Sequence, residues 1–448
     1  MRRNVRLATA ARWAIGLMAL TPCASPAVEY VLEPTVDLQA VYNDNIRMTS
    51  TGQESTTGII LSPRLNVAAR VETWQLGIDA RLRDKHYYGI KGFNNTDQII
   101  NLYSQYQTER NALQFGVGRT KDSILTGEYI DTDSGLVRTQ VIRTNENANA
   151  SWIWSLTEQD QIKLGYQYAN VAYDNVTDVS LYDYSQHGPS ATLTHIFSKR
   201  TQVFLQVDNS QFAVPKLSES YIGQADFYEA FIGGVWVFND IPRNVAVKSS
   251  TNSIQAGINY AISETVTGNL SAGSRKTSSD TQSEVCTATS PPYTYDIIFR
   301  SGSCVAVATN TITTTTRGRV YNASLTKNTE TLQLTAVALR SIDPSGSGTQ
   351  VQNDTLKLYA RWGYTEKLAY SLSGTSSKVH ALESTSAVVD RRIYNVMPGL
   401  EWRAGRHSTL KLSYGYSRLS YSRDTDAIIA RQVNLTYSYA WDTLSISH

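Results

Sequence analysis

The sequence has few cysteines and no long apolar run, and each absence excludes a class of protein. Its 448 residues include three cysteines, four methionines and eleven prolines. No stretch approaches the ~20 consecutive apolar residues that a membrane-spanning helix needs, so no such helix is predicted. The chain also lacks a P-loop, a paired metal-ligand motif and a dinucleotide fingerprint, so we predict no cofactor and no metal.

The first 27 residues have the three parts of an export signal. Residues 1–6 are basic, residues 7–20 are mostly apolar, and Ser25-Pro-Ala27 supplies small residues before a cleavage point. The apolar run is short for a membrane anchor, and Pro22 before Cys23 does not suit a lipoprotein signal. We predict a cleaved signal peptide over 1–27 and one mature domain over 28–448.

The mature chain is nearly neutral. Cleavage removes four of the 41 basic residues, Arg2, Arg3, Arg6 and Arg12, and leaves 37 against 39 acidic residues. A net charge of about −2 provides no basic surface for nucleic acid, so no nucleic-acid partner is predicted.

The segment from Arg431 to Trp441 alternates apolar and polar residues with a period of two. One face of the extended strand carries Val433, Leu435, Tyr437, Tyr439 and Trp441, and the other carries Gln432, Asn434, Thr436, Ser438 and Ala440. The same alternation recurs over residues 74–82, 356–364 and 410–416. Strands with a polar face and an apolar face that ends in aromatic residues suit a wall between water and lipid.

Short and long connections alternate along the chain. Short polar turns lie near 109–111, 157–160, 198–200, 263–264, 327–330, 365–366 and 403–407, and longer polar links occupy 89–97, 120–138, 174–183, 213–223, 277–315, 343–353, 379–390 and 421–430. A transmembrane barrel has this pattern, with short periplasmic turns and longer extracellular loops. We therefore predict an all-β, up-and-down antiparallel transmembrane barrel in the outer membrane of a Gram-negative cell.

Two segments leave the strand count open between 18 and 20. Nine clear hairpins give 18 strands, and a separate strand at Asn244–Ser249 would give twenty. The last seven residues have the opposite apolar parity to Tyr439 and Trp441. They form either a bulged continuation of the last strand or a turn and a further short strand.

The start of the mature chain carries a resemblance to a known family. Val36-Asp-Leu-Gln-Ala-Val-Tyr-Asn-Asp-Asn-Ile46, the Pro63-Arg-Leu65 return strand and Tyr87-Tyr88 are similar to segments of proteobacterial outer-membrane barrels associated with PEP-CTERM systems and exopolysaccharide operons. The resemblance implies a single outer-membrane barrel tied to export of extracellular polysaccharide or surface protein. It supplies no catalytic residues.

Charged residues recur on the polar face of the strands and are expected to line the lumen. The set comprises Asp79, Arg81, Arg83, Lys85, Lys163, Asp208, Lys357, Arg361, Glu401, Arg403 and Lys411. Its basic excess would favour the passage of anions. Alternatively, these charges form ion pairs that only hydrate the interior.

Catalysis is not predicted, although some barrels are enzymes. A hydrolase would need a histidine beside a serine or carboxylate near one rim. His86 and His187 lie toward the outer ends of their strands, but those strands are not obvious neighbours.

Cys286 and Cys304 flank a polar segment inside the 277–315 link. Two cysteines in one loop of an exported chain predict a disulfide, with two free thiols as the alternative. The closed loop would constrict the pore, contact a partner outside, or resist proteolysis.

These features together predict a porin-like channel for polar solutes or secreted polymer through a hydrated, mildly basic lumen. The first alternative is an accessory barrel for exopolysaccharide or surface-protein export without channel activity of its own. A barrel hydrolase and an adhesive surface barrel are further alternatives. The expected partners are outer-membrane lipids and the barrel-assembly machinery, with polysaccharide or export components if the alternative holds.

Overall fold

The computed structural model describes residues 28–123, 141–174, 181–215, 227–232, 235–240, 243–289, 299–302, 304–346, 348–382, 390–422 and 426–447. Its regular elements are β1 (Glu29–Asn43), β2 (Thr56–Arg70), β3 (Trp74–Tyr88), β4 (Asn95–Gln107), β5 (Asn111–Ser123), β6 (Ile142–Ser155), β7 (Asp160–Asp174), β8 (Tyr184–Ser198), β9 (Thr201–Val214), β10 (Phe227–Ile232), β11 (Val235–Asp240), β12 (Arg243–Ser263), β13 (Val266–Thr289), β14 (Phe299–Gly302), β15 (Cys304–Asn328), β16 (Leu332–Pro344), β17 (Gln350–Gly363), β18 (Leu368–Ala381), β19 (Arg391–Arg403), β20 (Ser408–Tyr421), β21 (Ile428–Ala440) and β22 (Leu444–Ser447). The predicted signal peptide, 1–27, lies outside the described residues. In the part of the chain described, no helix is long and apolar enough to cross a membrane.

Eighteen strands form one closed antiparallel barrel. Each pairs with the next along the chain, β9 pairs with β12, β13 pairs with β15, and β21 returns to β1. The predicted up-and-down barrel is confirmed with 18 strands. Asn244–Ser249 is strand, as the larger count required, but it is the beginning of β12 and adds no separate strand.

The barrel has two different ends. At the short-turn end, connections of two to four residues join β2 to β3 and β8 to β9. At the long-loop end, longer connections follow β1, β5 and β9. Outward leucine, valine and tyrosine side chains are exposed around the wall. Six tryptophans lie near the short-turn end: Trp74, Trp152, Trp154, Trp362, Trp402 and Trp441.

The chain finishes on a bulged strand. β21 pairs Ala440 with Thr35, whereas β22 pairs Leu444 with Leu32. Three residues of the last strand, 441–443, therefore oppose two residues of β1, which is the pattern of a β-bulge. The extra residue changes the parity, and Leu444 and Ile446 face outward as Trp441 does. The last residues continue the same strand, and the count stays at 18.

The predicted link over 277–315 is wrong, because two strands run through most of it. β13 and β15 have 24 and 25 residues and pair in a hairpin that continues beyond β12, which has 21 residues, and β16, which has 13. The Ser- and Thr-rich composition was typical of a loop. Threonine, however, is β-branched and favours strands, and Thr311–Thr316 pairs with Thr277–Gln282. Beyond this hairpin, β10 pairs with both β11 and β14, which joins the connections that follow β9 and β13.

Candidate functional site in the barrel lumen

The inward face of the barrel changes from buried to exposed along the axis. On β17, Val351, Asn353 and Thr355 near the long-loop end are buried, whereas Lys357 further along the strand is exposed. On β13, Arg275 is buried and inward-facing Asn269, nearer the short turn, is partly exposed. The lumen is therefore accessible in its short-turn half and packed near its mouth.

The loop between β1 and β2 occupies one side of the mouth. Ile46 packs in a buried cluster with Val41, Ile60, Tyr87 and Phe93. Met48, two residues on, belongs to a second buried cluster with Ile393, Leu419, Ile428 and Ala430. One loop thus covers the inward faces of the first strands and of the last ones.

Asn45 holds this loop at the seam where the barrel closes. Its side chain has 0% exposure. Its amide nitrogen donates to the carbonyl oxygens of Thr49, at 2.8 Å, and Ile429, at 2.9 Å, and its amide oxygen accepts from the Thr49 N–H at 3.0 Å. Asp44 accepts from the backbone N–H of Arg431 and pairs with its guanidinium. Asn43–Ile46, the end of the Val36–Ile46 segment that resembles the known family, thus forms a clasp between the first and last strands.

A second loop reaches across the mouth from β16–β17. The Tyr182 N–H donates to the Gly346 carbonyl at 2.8 Å, although Tyr182 follows β7. A side-chain carbon on Gly346 would lie 2.5 Å from the Tyr173 hydroxyl, so a larger residue here would force the tyrosine side chain to shift. Thr251 on β12 also donates to the side-chain oxygen of Gln350 at 3.3 Å. These contacts link strands that are not neighbours in the barrel, and they narrow the mouth.

An ion-pair ladder lines the lumen wall of β1–β6. Its pairs are Arg64–Asp79 at 2.6 Å, Arg81–Asp37 at 3.3 Å, Arg83–Asp97 at 3.6 Å, Lys85–Asp97 at 2.6 Å and Arg143–Asp122 at 3.1 Å. The ladder becomes more buried toward the mouth: the Arg64 side chain is 53% exposed, whereas Lys85 and Asp97 are 3% and 1% exposed.

The predicted lumen residues all fall on the inward parity of their strands, and they divide into two groups. Asp79, Arg81, Arg83, Lys85, Arg361 and Glu401 are ion-paired, the last two with each other at 2.8 Å, and Asp208 accepts from Ser253 at 2.7 Å. In contrast, Lys163, Lys357, Arg403 and Lys411 form no ion pair with any carboxylate in the described ranges. The paired group agrees with the expectation of an ion-paired interior, and the second group provides the basic excess.

The wall of β7–β16 carries mostly amides and hydroxyls, which the sequence analysis did not single out. A cavity of about 520 Å³ lies against Lys163, Thr192, Thr194, Gln206, Gln255, Asn259, Asn269 and Asn322, among others. Amides both donate and accept hydrogen bonds, so they match neutral polar solutes as well as ions. Period-two counting of Asn and Gln on the polar face could have found this wall.

The predicted disulfide stays a prediction. Cys286 lies opposite Val307, and Cys304 lies opposite Thr289. Three residues of strand correspond to ~10 Å, beyond the ~7 Å that a disulfide allows between Cα atoms. The bridge would need a shift of the hairpin tip.

Four of the described histidines, His86, His195, His380 and His407, contact carboxylates at scattered positions near the two ends of the barrel, whereas His187 contacts the Tyr166 hydroxyl. His86 contacts Asp84 and His380 contacts Asp390, each at 2.8 Å. Burial raises the pKa of Asp390, but hydrogen bonds from His380 and the Ala381 N–H outweigh it, and the net pKa is lowered. Among the described residues, no group of three His, Cys, Asp or Glu side chains could hold a metal.

No protein-family model matches this chain, and no curated protein matches it in sequence. Solved structures with a similar fold include the ferric citrate transporter FecA in its unliganded form, with a TM-score of 0.48, 9% identity and coverage of 94% of this chain and 79% of that one. The ferric-catecholate import receptor Fiu from E. coli K12, open form, has a TM-score of 0.44 and 10% identity over 91% and 81% of the two chains. OccAB2 from Acinetobacter baumannii has a TM-score of 0.43 and 9% identity, over 92% of this chain and 98% of that one. These identities are too low to transfer a function to this chain.

Proposed function

We propose that this chain is an outer-membrane channel for polar solutes or secreted polymer. The exposed apolar exterior supports a membrane location, because such a surface would be unfavourable in water. The tryptophans near the short turns suit a membrane interface. In this orientation the short turns face the periplasm and the long loops face outward.

The observation that carries the proposal is the exposed polar lumen in the short-turn half. Lys163, Lys357 and Lys411 project there without an ion pair to a described carboxylate. Unpaired cations raise the local concentration of anions, and the amide wall, to which Lys163 belongs, supports hydrated neutral solutes. The loops that meet across the mouth form the constriction that limits the size of the solutes that can pass.

Planar bilayer recording tests the proposal. The purified chain should give stable single-channel steps, with a reversal potential in a KCl gradient that indicates anion preference. The triple variant Lys163→Gln, Lys357→Gln, Lys411→Gln should lower the chloride-to-potassium permeability ratio by about twofold. Lys121→Gln is the control for loss of a lysine outside the lumen, because Lys121 is on the outward face, where it pairs with Asp174. An unchanged ratio in the triple variant would refute the basic-lumen mechanism.

A second candidate is an accessory barrel for polysaccharide export, in which partner proteins control transport. It is favoured by the contact between the Tyr182 N–H and Gly346, which ties two separate parts of the mouth together. A silent bilayer recording, combined with loss of secreted polysaccharide on gene deletion, would support it. Conductance that is restored by shortening the 345–349 loop would instead identify a channel with a closed mouth.

A further inference from the structure

Basic side chains that form no ion pair with a described carboxylate collect on one outward arc of the barrel, near the long-loop end. The basic arc comprises Lys276, Arg317, Arg319, Lys378, Arg392 and Arg418, which are all exposed. Their strand neighbours point inward and are buried, for example Arg275 and Thr277 beside Lys276, and Ser377 and Val379 beside Lys378. The arc extends over β13 to β20.

The basic arc lies at the upper edge of the apolar exterior. Lys378 pairs with Arg392 in register, ten residues above the pair of Leu368 with Trp402 near the short turn. Ten residues of a strand tilted by ~40° cover ~25 Å, which is the height of the apolar band of such barrels. Lys276, opposite Arg317, is likewise ten residues above the start of β13. Both pairs therefore sit at headgroup level.

The arrangement places like charges directly against each other. Lys378 opposes Arg392, Lys276 opposes Arg317, and Arg418 is one diagonal step from Arg392. Like charges in directly opposed positions destabilise a sheet unless an anion lies between them.

Few described carboxylates on this side offset the charge. Asp354 lies between the two halves of the arc but is held by Arg340 through two hydrogen bonds. Asp390 is close enough to Lys378 for its pKa to be affected, and Asp280 accepts from Thr313. These three carboxylates, of which Asp354 is already paired with Arg340, therefore face six cations.

The opposite wall is built differently. At similar height Arg119 pairs with Glu146, and Lys121 pairs with Asp174, each at 3.7 Å. Its outward charges are matched within the protein. Among the described strand residues near the mouth, the unpaired basic excess therefore lies on one side of the barrel.

We propose that the basic arc binds the phosphate groups of a phosphorylated lipid in the outer leaflet, with the acyl chains against the apolar wall below. This inference rests on the proposed outer-membrane location. Guanidinium groups bind phosphate through paired hydrogen bonds, and the ammonium groups add charge. Directly below Arg392 and Arg418 the exposed side chains of Tyr394, Val396 and Tyr414 provide the apolar surface.

Native mass spectrometry of the full chain in detergent micelles tests this site. The probes are bisphosphoryl lipid A, its monophosphoryl form and phosphatidylcholine. The wild-type chain should retain the bisphosphoryl form best and phosphatidylcholine least. The variant Lys378→Gln, Arg392→Gln, Arg418→Gln should lose affinity for bisphosphoryl lipid A by about a hundredfold. The control Arg119→Gln, Lys121→Gln removes two basic charges from the opposite wall, where carboxylates already pair with them, and should leave retention unchanged.

Equal retention by the two variants, or equal retention of phosphatidylcholine, would overturn the proposal. Displacement of the lipid by millimolar inorganic phosphate would also overturn it, since it would identify a free-anion site. Urea unfolding midpoints verify that the variants are folded. Lipid retention is measured without ion flow, so the two proposals can fail separately. A silent bilayer recording would refute the channel and leave the lipid site standing. Loss of lipid retention would refute the lipid site and leave the channel standing.

Discussion

Asp97 is the carboxylate on which the buried end of the lumen ladder depends. Its Oδ2 lies 2.6 Å from the Lys85 Nζ and 3.6 Å from Arg83, and Asn95 donates to its Oδ1 at 2.7 Å. Asp97→Asn keeps the shape but leaves the buried Lys85 charge without its nearest counter-charge. Removing one partner of a buried pair costs about 3–5 kcal/mol, and we expect the free energy of unfolding to fall by that amount.

Urea unfolding from lipid vesicles, followed by tryptophan fluorescence, measures this loss. Asp79→Asn is the matched control, because its partner Arg64 is half exposed and such pairs contribute only about 0–1 kcal/mol. The double variant Lys85→Gln, Asp97→Asn removes both charges and should recover most of the stability. Equal losses in Asp97→Asn and Asp79→Asn would refute the reasoning that burial sets the strength of these pairs.

Three further predictions concern other parts of the barrel. Asn45→Ala should destabilise the seam by about 2–3 kcal/mol, since it leaves buried backbone groups without partners; exposed Asn252→Ala is the control, and equal urea midpoints would contradict this. Asp390 has a lowered pKa, so its stabilising contribution is present above its unfolded pKa of about 4 and is lost as pH falls through the folded value. Asp390→Asn should therefore flatten the decline of the urea unfolding midpoint at acid pH. An unaltered slope would show that Asp390 does not contribute to this pH dependence. Gly188→Ala would place a carbon 1.8 Å from a backbone carbonyl of the next strand and should cost about 1–3 kcal/mol in the same unfolding assay.

Much of the barrel could be predicted because lipid and water impose a simple pattern on each strand. The alternation over Val433–Trp441 and the contrast between short and long connections were enough for the fold. These two patterns failed to predict the strands that extend beyond the membrane. β13 and β15 continue past the apolar band, so polar, Thr-rich stretches on both of their faces resemble a loop.

The lumen was predicted less completely, for a different reason. Parity places Lys163 and Arg81 on the same inward face, but whether a charge is paired depends on the neighbouring strand's register. Arg81 meets Asp37, which is 44 residues away. The packing of Ile46 and Met48 in the mouth depends on contacts with both ends of the chain, which local periodicity does not contain.

The clasp at Asn45 has a consequence for the order of assembly. The residue lies early in the mature chain, yet one of its two amide donations goes to Ile429, 384 positions later. Contacts of such long sequence separation form late, because a long loop must close first. The first loop can therefore settle into the mouth only after the last strand has joined the first. A chain halted before β21 would keep an open, unlatched mouth, and the narrowed mouth is a mark of a completed barrel.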